Sequence, residues 1–347
     1  MRLIQAGSGV IEIALAAEFT GSCEEELADV IKTSNPAANR LIILDFSGVA
    51  FFDNTAINVL VKLHALYAGT GCRFYAVGLS QHYREVLTLT GLDTGFHINS
   101  SDSEVIKAAR TTDITQAVKP EPRDIQYWAP YVQKLVVTEV PPGAVNLNVN
   151  GRRTAGPLQG FGQLWEKTYT LDISEAGLTP SQVIDTVKSN FPALQPAENK
   201  FYPAKNGIKP GEIVLINAST PGGLVATAVS VLYAARDTFT FITPQGHPEA
   251  GWVTFRSFAD RGVTFMQVRG LARASDPIYE AAFRMAGSAL QQGIWTHVLE
   301  SLARLTGVPA RVQFTKQCLD RSLHWSRTFN FLRNAQLTSM LYALTHP

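Results

Sequence analysis

Hydrophobic and polar positions change period several times along this chain, and each change marks an element. Arg2 to Gln5 reads as a strand, Gly7-Ser8-Gly9 as a turn, and Val10-Ile11-Glu12-Ile13-Ala14-Leu15 alternates with the two-residue period of a second strand. From Cys23 to Thr33 the period lengthens, with Leu27, Val30 and Ile31 on one helical face and Asn35-Pro36 as the stop. Leu41-Ile42-Ile43-Leu44-Asp45 is a continuous apolar run, as in a parallel strand buried on both faces, and Gly48 ends it. Ile57, Leu60, Leu63 and Tyr67 form a helical stripe within 54–69. Phe74-Tyr75-Ala76-Val77 is a further strand, followed by a short helix over 81–90, a small strand over 95–98 and a helix over 103–110 carried by Val105, Ile106 and Ala109. Strands alternating with helices predict an α/β layer built on a five-strand sheet.

The pattern then loosens. Residues 111–130, with Lys119-Pro120-Glu121-Pro122-Arg123-Asp124, read as a linker, and Pro141-Pro142-Gly143 between Leu135-Val136-Val137-Thr138 and Val145-Asn146-Leu147-Asn148-Val149 predicts a β-hairpin. Beyond Gly162 come a strand (163–173), a helix (180–190), strands near 212–217, 224–235, 238–243, 251–258 and 262–273, and a long helix. Asp276 suits its N-cap, Pro277 its first position, Glu280 its positive end and Gly307-Val308-Pro309 its stop. The organisation read from this is a first domain over 1–112, a linker with the hairpin over 113–159, a second domain over 160–310 and a C-terminal helical extension over 311–347.

Composition adds little to this picture but removes whole classes. With 347 residues, 46% hydrophobic and 17% charged, the chain has no compositional case for disorder. No run approaches 18 apolar residues and the start is too polar for a signal peptide, so no membrane span and a cytoplasmic location are expected. Cys23, Cys72 and Cys318 are far apart and form no C-x-x-C pair, which suggests neither a disulfide framework nor a metal site. Residues 1–115 hold 8 basic and 13 acidic side chains, a net of −5, leaving +6 for the remainder. Arg311, Lys316, Arg321, Arg327 and Arg333 are diluted among apolar and neutral residues, as in a solvated face, and no nucleic-acid partner is expected.

The segment Leu44-Asp45-Phe46-Ser47-Gly48-Val49-Ala50-Phe51-Phe52-Asp53-Asn54-Thr55-Ala56-Ile57, with Gly91-Leu92-Asp93 after a later apolar helix, resembles the STAS family of anti-sigma-factor antagonists over about residues 1–110. In that family a buried strand leads through a D-x-S-G-like turn to an Asp-Ser-Ser/Thr-Gly motif at a helix start. Here Asp53-Asn54-Thr55-Ala56 stands in that place. The resemblance implies a non-enzymatic binding module whose partner is an anti-sigma-factor-like kinase or another signalling protein, with Thr55 at the phosphorylation position. The residues agree with it. Asp53 as N-cap leaves Asn54 and Thr55 in the first helical turn, where unpaired N–H groups favour an added phosphate. Asn54 replaces the usual Ser and Ala56 the usual Gly, and the Ala56 methyl group is a potential obstruction to a kinase. Asp53 and Thr55 also suit a plain helix cap with no switching role.

Gly160-Phe161-Gly162-Gln163-Leu164-Trp165-Glu166-Lys167-Thr168-Tyr169, with Gly246 to Phe255 and Arg273 to Glu280, resembles the START-like helix-grip superfamily. The resemblance implies an antiparallel sheet wrapped on a C-terminal helix, enclosing an apolar cavity for a hydrophobic small molecule or lipid. Trp165, Tyr169, Phe241, His247, Trp252, Phe255 and Phe265 are the candidate pocket residues, the aromatic ones serving equally as core. His247-Pro248-Glu249 pairs an imidazole with a carboxylate, yet its Gly and Pro setting reads as a loop. No P-loop, H-E-x-x-H or G-x-S-x-G motif occurs, and neither cofactor nor metal is expected. The function expected is a regulatory protein coupling STAS-mediated binding to a ligand-sensing domain. The alternatives are an enzyme acting on a small apolar substrate and an adaptor making only protein contacts.

Overall fold

The computed structural model describes residues 1–7, 9–34, 41–98, 120–220 and 223–345. The helix read over 103–110 and the Asn35-Pro36 stop lie outside them. The chain divides into two compact units, Met1–Gln126 and Tyr127–Pro347.

The first unit runs β1 (Arg2–Gly7), β2 (Val10–Ala14), β3 (Glu18–Phe19), α1 (Glu24–Thr33), β4 (Leu41–Asp45), β5 (Phe51–Phe52), α2 (Ala56–Tyr67), β6 (Arg73–Val77), α3 (Gln81–Leu89) and β7 (Phe96–Ile98). Among the described residues the sheet order is β1-β2-β4-β6-β7, antiparallel between β1 and β2 and parallel thereafter. The apolar run of β4 is buried at every position because both sheet faces are covered. Val10, Leu41, Ile43, Tyr75 and Val77 pack on one face, and Ile11, Ile13, Ile42, Leu44 and Ala76 alternate onto the other.

After β4 the Asp45 carboxylate folds the D-x-S-G-like turn by accepting from the Ser47 amide and hydroxyl at 2.9 and 2.5 Å. Gly78, at φ +69°, passes so close that a Cβ there would lie 2.1 Å from Ser47 Oγ, so glycine is required twice over. Residues 120–126, read as linker, are instead fastened to this unit. The Arg123 amide donates to Ala50 O at 2.9 Å, and fully buried Asp124 accepts from the Tyr83 hydroxyl at 2.9 Å. A buried carboxylate needs such partners, and the proline-rich composition around it gave no sign of them.

The second unit runs β8 (Thr154–Ala155), β9 (Leu164–Asp172), α4 (Pro180–Asn190), β10 (Asn199–Tyr202), β11 (Ile213–Thr220), β12 (Gly223–Ala234), β13 (Thr238–Pro244), β14 (Glu249–Asp260), β15 (Val263–Ala274), α5 (Pro277–Ala282), α6 (Ser288–Thr306), β16 (Val312–Asp320) and α7 (Ala335–Thr345). Its antiparallel sheet has the order β10-β11-β12-β13-β14-β15-β9-β16, with β8 added beside β13. A π-helical turn, Phe283–Gly287, joins α5 to α6 in one long helical run. Asp276 caps that run, its carboxylate accepting from the Ile278 and Tyr279 amides at 2.8 and 3.0 Å, and Gly307 at φ +76° ends it. The inward faces of the sheet and the buried faces of α4 and α6 share one core. Phe191 meets Phe201, Phe239, Phe241 and Phe255 there, and Trp295 packs on Phe255. This is a helix-grip architecture.

Two expectations are corrected. Residues 132–149 hold no hairpin strand. Leu135 and Val149 are buried against Leu215 and Ala228, the Val145 amide donates to the Asn217 side chain at 2.8 Å, and Asn148 sits at φ 61°. Pro141 and Pro142 lack the N–H groups a ladder needs at its tip. Residues 311–347 are not a helical extension throughout. Val312 and Phe314 alternate with polar neighbours as β16 pairs with β9, and the segment ends in α7, where the Ser339 hydroxyl accepts from the Ala226 amide of β12 at 3.1 Å.

His247 occupies the turn between β13 and β14, where its Nδ1 accepts from the Glu249 amide at 3.0 Å. Burial lowers its pKa from 6.5 to about 4, opposed by the contact of Nδ1 with the Glu249 carbonyl oxygen at 3.1 Å. The unfolded chain therefore binds this proton at a higher pH than the folded one. The stability held by neutral His247 is complete above pH 6.5 and is lost as the pH falls toward 4. His247→Asn keeps an acceptor without a titration. Unfolding calorimetry at pH 7 and 4.5 is expected to show a smaller acid-induced loss in the variant than in the wild type, by on the order of 2 kcal/mol.

Candidate functional site

Two places gather functional groups, one in each unit. In the first, pairing of Glu18 and Phe19 with Phe51 and Phe52 in parallel register lays the chain after β3 beside the chain after β5. The stacked Phe19 and Phe52 rings, 5.9 Å apart, hold that register. It brings Gly21 against Thr55. Asp53 Oδ1 accepts from the Thr55 amide at 2.9 Å, the Ala56 amide at 3.0 Å and the Thr55 hydroxyl at 2.6 Å. The same hydroxyl accepts from the Gly21 amide at 2.6 Å. A Cβ on Gly21 would lie 2.8 Å from Thr55 Oγ1, so the approach is closed to any larger residue without a shift.

The Asp53 capping role expected from the sequence is present, with α2 beginning at Ala56, one residue beyond Thr55. Thr55 and Asp53 are half-buried, whereas Asn54 and Ala56 are buried. The Ala56 methyl group is therefore directed away from solvent, and the obstruction expected of it is corrected.

In the second unit a cavity of about 210 Å³ lies on the inward face of the sheet beside the long helical run. Trp165 and Lys167 of β9, Glu249 of β14, Gly270 of β15, Lys316 of β16 and Gln291 of α6 line it. The buried Lys167 ammonium donates to Gln291 Oε1, and Gln291 Nε2 donates to Glu249 Oε2 at 2.6 Å. Burial lowers the Lys167 pKa, with nearby Lys316 adding to it and Glu249 opposing it. Burial raises the Glu249 pKa against the pull of Lys167 and the Gln291 hydrogen bond. Lys316 lies over the Trp165 ring, 4.1 Å from its centroid. At the rim Arg284 pairs with Glu280 at 2.9 Å. Gly162 makes room for Glu280, since a Cβ there would lie 2.1 Å from the Glu280 carboxylate.

Of the aromatic candidates, Trp165 lines this cavity. Phe241 and Phe255 fill the core around Phe191. Trp252 pairs with Ile242 and Leu271 on the opposite sheet face, and Phe265 packs on Phe258 at 5.5 Å. His247 is in its turn. Tyr169 is fully buried, two residues along β9 from Lys167, and its hydroxyl has no partner among the described residues. Burial and the negative charge of Glu249 push its phenol upward.

Aromaticity was thus a poor guide to the lining. A better signal is Lys167 at an inward position of the alternating Trp165, Lys167, Tyr169, Leu171, where a charge stays only with partners. Gln291 carries no local signal. Among the described residues no group of three or more metal-ligating side chains occurs, and no helix is long and apolar enough to cross a membrane.

No curated protein matches this chain. Many solved structures are similar to parts of it, three of them as follows. One is the di-domain aromatase/cyclase StfQ from the steffimycin biosynthetic pathway, at 14% identity and a TM-score of 0.31, covering 42% of this chain and 53% of that one. The chain thus spans about half the length of StfQ. Another is a START superfamily protein from Mycobacterium smegmatis, at 16% identity and a TM-score of 0.30, covering 42% of this chain and 98% of that one. The third is the protein TM1081, at 20% identity and a TM-score of 0.26, covering 31% and 87%. Residues 4–99 match the family model described as Mlab, STAS domain, and this part of the first unit is a STAS domain.

Proposed function

We propose that the chain is a cytoplasmic regulatory protein whose STAS domain binds a signalling partner through the surface at Asp53 and Thr55, and whose helix-grip unit binds a small molecule. The partner class is an anti-sigma-factor-like kinase or another signalling protein. The observation that carries the first half is the placement of Thr55. It is a half-buried hydroxyl at the start of α2, engaged by one amide and one carboxylate.

A phosphoryl group on Thr55 brings about −1.5 to −2 charges to a position 2.6 Å from an Asp53 oxygen and displaces the Gly21 amide. The α2 N-terminus offsets part of that repulsion. The net result is a rearranged tip of 20–22 and 53–56, so modification alters the docking surface in shape as well as charge. A catalytic reading of the second unit is supported by Glu249, whose raised pKa and cavity position suit a general acid. Turnover of a bound molecule, against its recovery unchanged, separates that reading from sensing.

Incubating the full chain with kinase from its own strain and mapping phosphate by mass spectrometry is expected to give modification at Thr55. Modification elsewhere, or none, counts against the switch. Thr55→Val leaves the Gly21 amide and part of the Asp53 carboxylate without partners and is expected to destabilise the first unit by about 1–3 kcal/mol in denaturant unfolding. Thr55→Ser, which keeps the hydroxyl, is expected to lose less than half as much.

A further inference from the structure

The C-terminal stretch of the second unit is amphipathic in the reverse sense. A 3₁₀ helix, Trp325–Arg333, leads into α7, and polar groups hold both to the unit. Asn330 Nδ2 donates to the carbonyl oxygens of Gln159 and Ser275 at 3.0 and 2.8 Å, and buried Asn334 donates to the Asp276 carboxylate at 2.8 Å. The His324 amide donates to Phe161 O at 2.8 Å, the Ala335 amide to Gly246 O at 2.9 Å, and the buried Ser339 hydroxyl ties α7 to β12. The apolar side chains face the other way. Trp325, set edge-on against Phe161, is 71% exposed, and Phe329 and Leu332 are 75 and 71% exposed. On α7 Leu337, Leu341 and Leu344 recur at helical spacing on the face opposite Ala335 and Ser339, and all three are exposed.

A single exposed apolar residue is ordinary, but this many large ones on one short anchored segment mark a surface with a partner. Charge says which. From Arg321 to Thr345 the sequence holds Arg321, Arg327 and Arg333 and no acidic residue. The acid just before them, Asp320, faces Arg273 and His324. Among the described residues no carboxylate forms an ion pair with any of these three arginines, of which Arg321 and Arg333 are exposed and Arg327 is half-buried. Arg152 adds positive charge nearby: burial lowers its pKa, and the charge of Arg333 lowers it further. Protruding aromatic and aliphatic side chains among unpaired cations match the interface of an anionic bilayer, where indole rings settle at headgroup level and guanidinium groups meet lipid phosphates. A fluid bilayer accepts side chains that stand this far out of a surface, whereas a protein partner needs a preformed pocket for each.

We propose that Trp325–Arg333 and the outer face of α7 lie on a bilayer that carries anionic phospholipid, with Trp325, Phe329 and Leu332 in the interfacial layer and Arg321, Arg327 and Arg333 against lipid phosphates. The attachment is peripheral, since among the described residues no helix is long and apolar enough to cross a membrane. It stands apart from the reading of Thr55 and from what the cavity binds, because none of these residues belongs to either site.

The test is co-sedimentation of the full chain at low ionic strength with vesicles of equimolar phosphatidylcholine and phosphatidylglycerol, and with vesicles of phosphatidylcholine alone. The chain is expected to bind the anionic vesicles at least about tenfold more tightly, and added salt to weaken that binding. Trp325→Ser with Phe329→Ser should cut binding to anionic vesicles by at least about tenfold. Arg321→Gln, Arg327→Gln and Arg333→Gln together should bring the anionic preference down to about threefold or less. Leu66→Ser, at another exposed leucine, in α2 of the first unit, should change neither, and circular dichroism checks that each variant is folded. Failure to bind anionic vesicles overturns the proposal, and equal binding to both compositions overturns the anionic assignment. Anionic binding that survives the Trp325 and Phe329 substitutions belongs to another surface and overturns it as well. Self-association in sedimentation velocity that those two substitutions abolish, without vesicle binding, overturns it in favour of a second copy of the chain.

Discussion

One carboxylate oxygen organises the start of α2 in the first unit. Asp53 Oδ1 accepts from two successive amides and from the Thr55 hydroxyl, and that hydroxyl in turn accepts from Gly21. The circuit joins two segments 34 residues apart in sequence and fixes both to the start of α2. An ionised acceptor makes these bonds stronger than neutral ones, so the tip has a defined shape. The same concentration of donors on one oxygen makes the tip sensitive to added negative charge, since no spare donor of the circuit is left to receive it.

The second unit obeys a different constraint. Every other residue of a strand wrapped on a helix points inward, and a charge at such a position persists only with compensation. Along β9 that rule sorts Tyr169 and Leu171 into the core and leaves Lys167 at the cavity, compensated by Gln291 and, one step on, by Glu249. The aromatic cluster around Phe191 fills the other end of the grip, so the remaining cavity is bounded by polar groups on one side and by Trp165 on the other.

Local patterns carried the elements that have strong local causes. The five-residue apolar run of β4, the Asp276-Pro277 helix start and the strands from β11 to β15 follow from periodicity and capping alone. The failures arose where a distant partner decides. Asn217 takes the backbone bonds that a 132–149 hairpin would have used, and Asp124 ties an apparent linker to Tyr83. β16 was missed because its inward Val312 and Phe314 are interrupted by Lys316, the very residue that faces the cavity. At the candidate sites, Asp53 and Thr55 were legible as a helix start. Their closure by Gly21 depends on the β3–β5 pairing of two residues on each side, too short for any periodicity to register.

The circuit is read most directly by amide hydrogen exchange at Gly21, measured by NMR in the wild-type chain and in Thr55→Val. Its 2.6 Å bond to the Thr55 hydroxyl predicts a protected amide in the wild type and exchange faster by at least about tenfold in the variant. An amide at Gly21 that exchanges at the same rate in both proteins would contradict the arrangement on which the regulatory account stands.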